Sequence, residues 1–319
     1  MSKVLIIGEP MELLTAEQDG KLCDVSRFSA SVAGAELNVA VGVTRLGLTA
    51  EYMTRLGNDP RAQRIRSFIS AHGLSDKLIT TDPDHQTGCM VKSMAKPHEI
   101  YYYRQKTAAS FISETDIDAL DLSDIRAIHI TGILPAISDT TAKAARRLLE
   151  RAQELHITVV FDPNLRGILW TTDKQTLELI NEIASKAEVF LPNLNEAEKL
   201  CGLSEPNEIA DHYLALGTQK VVITMGKRGA FYKSSVESGI VPTFAADEVV
   251  NTLGAGDGFA AGLLSGICDE LPLSEAVIRA NAVGSMQIQS DSDHAKLPTM
   301  AQLREYMLDH RFVVEHFSE

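Results

Sequence analysis

Residues 157–166 read ITVVFDPNLR. A run of β-branched and aromatic residues stops abruptly at an aspartate, a proline and an asparagine. Such a run suits a strand buried on both faces, and its polar tail suits the loop that leaves the strand. The pattern recurs in KVLIIG (3–8), RAIHITG (126–132), AEVFLPN (187–193) and KVVITMG (220–226). Amphipathic stretches of helical period lie between these runs. Residues 38–46 put Val39, Val43 and Leu46 on one face, and residues 139–155 turn Leu148, Leu149 and Leu155 inward. This alternation predicts an α/β fold with a doubly wound, mostly parallel sheet. Ligands of such sheets bind beyond the carboxyl ends of the strands. The unusual tails FDPNLR, LPNLNE and TMGKRG all fall there.

Two stretches, at about 10–33 and 86–105, break the rhythm with short alternating runs and no good helix. They predict a small β element projecting from the main sheet. Within EIYYYRQ (99–105), a period of two puts Tyr102 and Arg104 on one face and Tyr101 and Tyr103 on the other. One face would look at a ligand, the other at a core or a partner subunit, which suggests a dimer through this element.

The totals narrow the function. The chain has 319 residues, 45% of them apolar, enough for a full core. A formal charge of −13 argues against nucleic acid, which needs a basic face. The opening MSKVLIIGEP reaches charge and proline too soon for a signal peptide, and no apolar run approaches the roughly 18 residues of a membrane span. A cytoplasmic protein is expected. Its four cysteines lie far apart without a CxxC, which fits reduced thiols, and its nine histidines show no zinc spacing.

The chemistry concentrates in NTLGAGDGF (251–259). Residues from Asp257 to Ile267 read as a helix with Gly254, Ala255 and Gly256 at its N-terminus. Free N–H groups and the positive dipole end make that an anion site. Asp257 in the first turn would stand beside the anion, placed to take a proton from a hydroxyl that attacks a phosphoryl group. The same residues also suit a glycine-rich turn with an ordinary N-terminal aspartate. Gly258, Gly262 and Gly266 read as a close-packing stripe. Neither GxxxxGK[ST] nor GxGxxG occurs, so any nucleotide site is of another type.

Other candidates are weaker singly. TMGKRGA (224–230) offers Gly226, Lys227 and Gly229, and also suits a turn between antiparallel strands. FDPNLR places Asp162, Asn164 and Arg166 at a strand end. PNLNEAE (192–198) places Asn193 and Glu196 at a helix start, where Glu196 either favours the dipole or orients water on Mg²⁺. AGAELNVAVGVTRLG (33–47) places Gly34 and Asn38 at another helix start.

Taken in order, these motifs resemble the ribokinase-like, PfkB-type carbohydrate kinases over nearly the whole chain. AGAELNVAVGVTRLG is similar to that family's GG-x-x-x-N-x-A signature, and NTLGAGDGFAAG to its D-T-x-G-A-G-D signature. PNLNE resembles its N-x-x-E magnesium motif, and TMGKRGA its ATP loop. The resemblance implies a ribokinase-like fold: one α/β domain over 1–319, with a β lid at about 10–33 and 86–105. It also implies ATP and Mg²⁺, and phosphorylation of a sugar hydroxyl. Within the family, IGEPMELL (7–14), YYYRQKTAAS (101–110) and FDPNLRGILW (161–170) look most like 2-keto-3-deoxygluconate kinases. The implied roles follow residue by residue. Asp257 acts as base, with Gly254, Ala255 and Gly256 as the anion cradle. Gly34, Asn38, Tyr102, Arg104, Arg166 and Asp293 hold the sugar. Asn164, Thr224, Gly226, Gly229 and Asn281 hold ATP, and Asn193 and Glu196 hold Mg²⁺ through water. Arginines suit a carboxylate substrate. The chain departs from the pattern at Ala33, where a glycine is expected. It also carries Asn251 in place of an aspartate that helps organise a monovalent-cation site, which leaves potassium activation open. A fructokinase shares every catalytic motif. A non-catalytic sugar or nucleotide sensor on the same fold has no need of the base.

Overall fold

In the computed structural model, which describes residues 2–94, 99–167, 169, 174–246, 248–252, 254–290 and 297–310, the apolar runs become strands. They are β1 (Lys3–Ile7), β2 (Met11–Ala16), β3 (Phe28–Ala33), β4 (Thr49–Gly57), β5 (Ile79–Asp82), β6 (Cys89–Lys92), β7 (Ile100–Tyr103), β8 (Ile125–Thr131), β9 (Thr158–Asp162), β10 (Val189–Phe190), β11 (Lys220–Thr224), β12 (Ala230–Ser234) and β13 (Ser238–Val241). The helices are α1 (Ala35–Arg45), α2 (Pro60–Ala71), α3 (Glu114–Asp118), α4 (Ile133–Ile137), α5 (Asp139–Glu154), α6 (Lys174–Lys186), α7 (Leu194–Cys201), α8 (Pro206–Leu216), α9 (Ala255–Cys268), α10 (Leu273–Gln287) and α11 (Met300–Asp309).

Among the described residues the main sheet has nine strands in the order β13-β12-β11-β10-β9-β8-β1-β4-β5. From β11 to β5 all neighbours run parallel, and β12 and β13 add an antiparallel edge. β1 shows why helices must cover both faces. Val4 and Ile6 enter the core under α1, α2, α9, α10 and α11, while Leu5 and Ile7 enter the core under α3 to α8. Each fully buried aliphatic side chain contributes roughly 1.5–3 kcal/mol, so a strand apolar on both faces is stable only between two helix layers. Among the described residues no helix is long and apolar enough to cross a membrane.

A second sheet, in the order β3-β2-β6-β7, draws its strands from the two stretches that broke the helical rhythm. Its inner face carries Met11, Ala33 and Met90, with Leu13, Ile100 and Tyr102 packed against them.

Several boundaries differ from the sequence reading. α1 begins at Ala35, three residues before Asn38, with Gly34 as its N-cap. α9 begins at Ala255, so Asp257 is the third residue of the helix rather than the first. α5 ends at Glu154, and Leu155 turns outward, 50% exposed. As the C-cap at φ −97° and ψ 1°, it has left the helical face that carries Leu148 and Leu149. β10 is only two residues long, because Pro192 has no N–H to continue the ladder. The chain stays alongside its neighbour through the Thr224 N–H, which donates to the Pro192 carbonyl at 3.0 Å.

Candidate active site

All parallel strands end on one side of the sheet, and the polar tails collect there. Gly254, the N-cap of α9, has φ +76°, a left-handed value that a side chain disfavours. The helix then exposes its first-turn N–H groups at that end, and Gly256 is open to solvent. Asp257 is buried in the same turn. Its Oδ2 accepts a 2.8 Å hydrogen bond from Nδ2 of Asn38, also buried, in the first turns of α1. Two helix starts meet at this bond, although the residues stand 219 positions apart. Close packing of the helices allows it: a Cβ on Gly42 of α1 would fall 2.6 Å from the Cβ of Ala261 on α9. The glycine stripe beyond Asp257 packs as expected, with Gly262 and Gly266 set against Ala280 and Ala276 of α10.

Asp162, at the end of β9, belongs to the same constellation, and the sequence reading gave it no role. The Asn164 N–H donates to its Oδ1 at 2.9 Å, and Asn164 Nδ2 to its Oδ2 at 3.2 Å. Asn164 adopts φ +39° to close this turn. Burial, and then the negative charges of Glu196 and Asp257, push the Asp162 carboxyl well above the usual carboxylate range. Glu196 forms a capping box with Asn193 at the start of α7: Asn193 N–H donates to Oε2 at 3.0 Å, and Glu196 N–H donates to Asn193 Oδ1 at 3.0 Å. The Leu165 N–H donates to its other oxygen at 2.8 Å. Burial raises the Glu196 pKa, against the pull of these N–H donors and of the Arg166 and Lys199 charges. Signals for Asp162 were present, since it heads the FDPN tail, but proximity to Asp257 was not readable from spacing.

These donors are all oxygens, which suits a hard divalent cation. Among the described residues no three His, Cys, Asp or Glu side chains close into a metal cage. Mg²⁺ keeps several waters and takes one or two carboxylates together with substrate phosphates, a demand that Glu196 and Asp162 could meet.

The neighbouring strand end brings in the proposed nucleotide loop. Asn193 bridges to Thr224 at the tip of β11. Gly226–Arg228 then form a tight turn into the antiparallel β12, the alternative left open by the sequence. Gly229 has φ +85°, and a Cβ there would strike the Val241 carbonyl oxygen at 2.0 Å. Asn281 is buried in α10, with its Nδ2 committed to the carbonyls of Val241 at 3.0 Å and Pro242 at 3.3 Å. Its amide nitrogen thereby ties α10 to the end of β13, the segment that lies against Gly229.

The small sheet supplies the other wall. Tyr101 and Tyr103 are exposed, Tyr102 is half-buried and Arg104 is buried, as the period of two predicted. The exposed tyrosines and Phe28 line an outer groove of about 530 Å³. Arg104 is not a free cation. Its Nε donates to Oε2 of the buried Glu9 at 2.8 Å, and its guanidinium lies 5.9 Å from the Tyr102 ring centroid. Glu9 and its neighbour Glu36 escaped the sequence reading because an isolated acidic residue in an apolar run carries no periodic signal. Glu36 is fully buried, accepts from the Thr131 hydroxyl, and has its carboxyl pushed up by burial. Arg166 is exposed beyond β9, with its charge acting on Glu196 and no hydrogen bond to its side chain among the described residues. Asn251 sits ahead of α9 with its N–H on the Ile288 carbonyl at 3.1 Å. Asp293 lies outside the described residues.

Comparison with known proteins finds relatives over nearly the whole chain. The model of the pfkB family carbohydrate kinases matches residues 1–300. A 2-dehydro-3-deoxygluconokinase from Bacillus subtilis (strain 168) is 36% identical over 309 residues, covering 96% of this chain and 95% of that protein. Fructokinase-1 of Zea mays is 27% identical, covering 88% of this chain and 90% of its own length. Among solved structures, aminoimidazole riboside kinase from Salmonella enterica, complexed with aminoimidazole riboside and an ATP analog, superposes with a TM-score of 0.82. It is 25% identical and covers 96% of this chain and 100% of that chain.

Proposed function

The chain belongs to the pfkB family of carbohydrate kinases, and from that premise we propose that it phosphorylates the terminal hydroxyl of a keto sugar acid, 2-keto-3-deoxygluconate, at the expense of ATP. The observation that carries the catalytic part is the Asn38–Asp257 hydrogen bond at the exposed N-terminus of α9. It orients a carboxylate oxygen beside a ready-made anion site.

In this reading the sugar lies between the strand ends and the small sheet, which acts as a lid. Gly34, Asn38, Tyr102, Arg104 and Arg166 hold it, and positioning supplies much of the rate. Asp257 accepts the proton of the attacking hydroxyl. The first-turn N–H groups of α9, at Gly254, Ala255 and Gly256, stabilise charge on the transferring phosphoryl group; loss of one such donor typically costs about 10²–10³ in rate. Thr224, Gly226 and Gly229 line the nucleotide's path, and Asn164 and Asn281 shape its walls. Glu196 and Asn193, with Asp162 beside them, would hold Mg²⁺ through water, and the ion when bound neutralises phosphate charge. Closure of the lid excludes water and limits ATP hydrolysis.

The sugar-acid reading is supported by the 36% identical relative and by Arg166, whose guanidinium faces solvent at the strand ends. One observation favours a neutral sugar instead: the Arg104 charge is already balanced by the buried Glu9. The deciding experiment is ADP release with Mg-ATP against 2-keto-3-deoxygluconate, 2-keto-gluconate, fructose, ribose and adenosine. Strong preference for the keto acids is expected. Preference for fructose or ribose would discard the carboxylate role while keeping the kinase, and absence of turnover with every acceptor would favour a sensor.

A further inference from the structure

Four chain crossings join the small sheet to the main one: residues 8–10 between β1 and β2, Gly34 between β3 and α1, the segment ending at Gly88 before β6, and Arg104–Thr107 after β7. All four meet at Glu9. One carboxylate oxygen, Oε2, accepts from Arg104 Nε at 2.8 Å, and the other accepts from the Thr107 hydroxyl. A Cβ added to Gly88 would stand 2.9 Å from Oε1, and one added to Gly34 would stand 3.4 Å from the Glu9 carbonyl oxygen. Glu9 is 2% exposed and Arg104 7%. Buried opposite charges hold each other firmly because separation leaves each unpaired away from water. Glu9 grips the guanidinium along its Nε–Nη2 edge, since Nη2 is also paired with Oε2. Among the described residues no acceptor takes Nη1. The guanidinium is planar and rigid, so the grip on one edge sets the direction of the other.

We propose that Glu9 is a positioning residue for sugar recognition: it aims the free edge of Arg104 into the site and pins the crossings on which the small sheet moves. The proposal rests on the reading above only in taking Arg104 as a sugar contact. Glu9 itself touches no substrate and acts through Arg104.

The test is Glu9→Gln, which keeps the side-chain volume and can still accept from Thr107, but sets an amide N–H group against the Arg104 Nε edge. It is assayed with whichever sugar of the panel the wild-type chain uses best. The sugar KM is expected to rise about tenfold, the scale of a mis-aimed charged hydrogen bond, with the ATP KM unchanged. In an Arg104→Ala background, adding Glu9→Gln should raise it no further. A purely structural role would instead disturb both KM values and multiply with Arg104→Ala. An unchanged sugar KM in folded Glu9→Gln, or multiplicative losses in the double variant, overturns the proposal. Should Glu9→Gln not fold, Thr107→Val removes one anchor while leaving the ion pair. A smaller rise in sugar KM that Arg104→Ala abolishes would support the proposal, and no rise would overturn it. Preference for fructose in the panel would sink the sugar-acid reading and leave this test intact. Arg104→Ala with no effect on the preferred sugar would sink the Arg104 contact, and the Glu9 role with it.

Discussion

Asp257→Asn separates chemistry from fold. Asp257 is the third residue of α9, 7% exposed, and receives a 2.8 Å hydrogen bond from Asn38. Asparagine matches its size, and its Oδ1 remains an acceptor for Asn38, so the local geometry should survive. The fold loses a first-turn negative charge, worth roughly 0.3–1 kcal/mol against the helix dipole. It also loses a repulsion, since the Asp257 charge is one cause of the raised Asp162 pKa. These effects oppose each other, so the net change should stay within about 1 kcal/mol, a Tm shift of roughly 2–4 °C. The chemistry loses its proton acceptor altogether. A missing general base typically costs about 10²–10⁴ in rate, and a loose transition state with late proton transfer favours the low end. Turnover is therefore expected to fall at least about 10²-fold, roughly 2.7 kcal/mol of barrier. ADP release coupled to NADH oxidation, at saturating Mg-ATP and the preferred sugar, measures it, with thermal unfolding run alongside. Turnover within about tenfold of wild type, in a protein that melts normally, would remove Asp257 from the base role. A collapse of Tm would reassign the loss to folding.

Gly256 is exposed with no atom within 4 Å of an added Cβ, and alanine is the better helix former by about 1 kcal/mol. Gly256→Ala should therefore keep or raise Tm while lowering kcat/KM, and unchanged kinetics would mean that no phosphoryl group approaches this turn. His129 is fully buried, and burial lowers its pKa to about 4 from the ordinary 6.5. Between those values the unfolded chain binds a proton that the native chain refuses, so stability contributed by this residue falls as pH drops through the window, by about 3 kcal/mol in all. The raised carboxyls of Glu36, Asp162 and Glu196 slope the other way. The readout is thus the difference between wild type and His129→Asn in denaturant-derived stability from pH 6.5 to 4, and parallel curves would refute the assignment.

Much of the architecture was legible. The β-branched runs announced the central strands because a parallel strand is buried on both faces and shows it as an uninterrupted apolar run. The two arrhythmic stretches announced the second sheet, and a period of two put Tyr102 and Arg104 on one face of it, which the packing then showed to be the inner one. Helix ends were less legible. Leu155 fits the apolar stripe of α5 by spacing, yet the chain leaves helical geometry one residue too soon for it to pack. The apolar face of α1 shows only from Asn38 onward, three residues after its first turn begins, while Gly34 marks its cap.

What the sequence determined by itself was local. Strand and helix preference, the anion-binding character of a glycine-led helix start and the order of the motifs all reside in a few consecutive residues, where backbone sterics and hydrogen-bonding needs act directly. Tertiary structure alone decided which of those residues meet. Asn38 reaches Asp257 across 219 positions because α1 and α9 pack closely at Gly42. Asp162 stands near enough to Asp257 for its pKa to rise, because β9 ends beside the start of α9. Arg104 is engaged by Glu9, 95 positions earlier, because the crossings of the small sheet converge on one buried carboxylate. Such contacts depend on strand order and helix approach, which are properties of the whole packed core and leave no mark in the spacing of any single stretch.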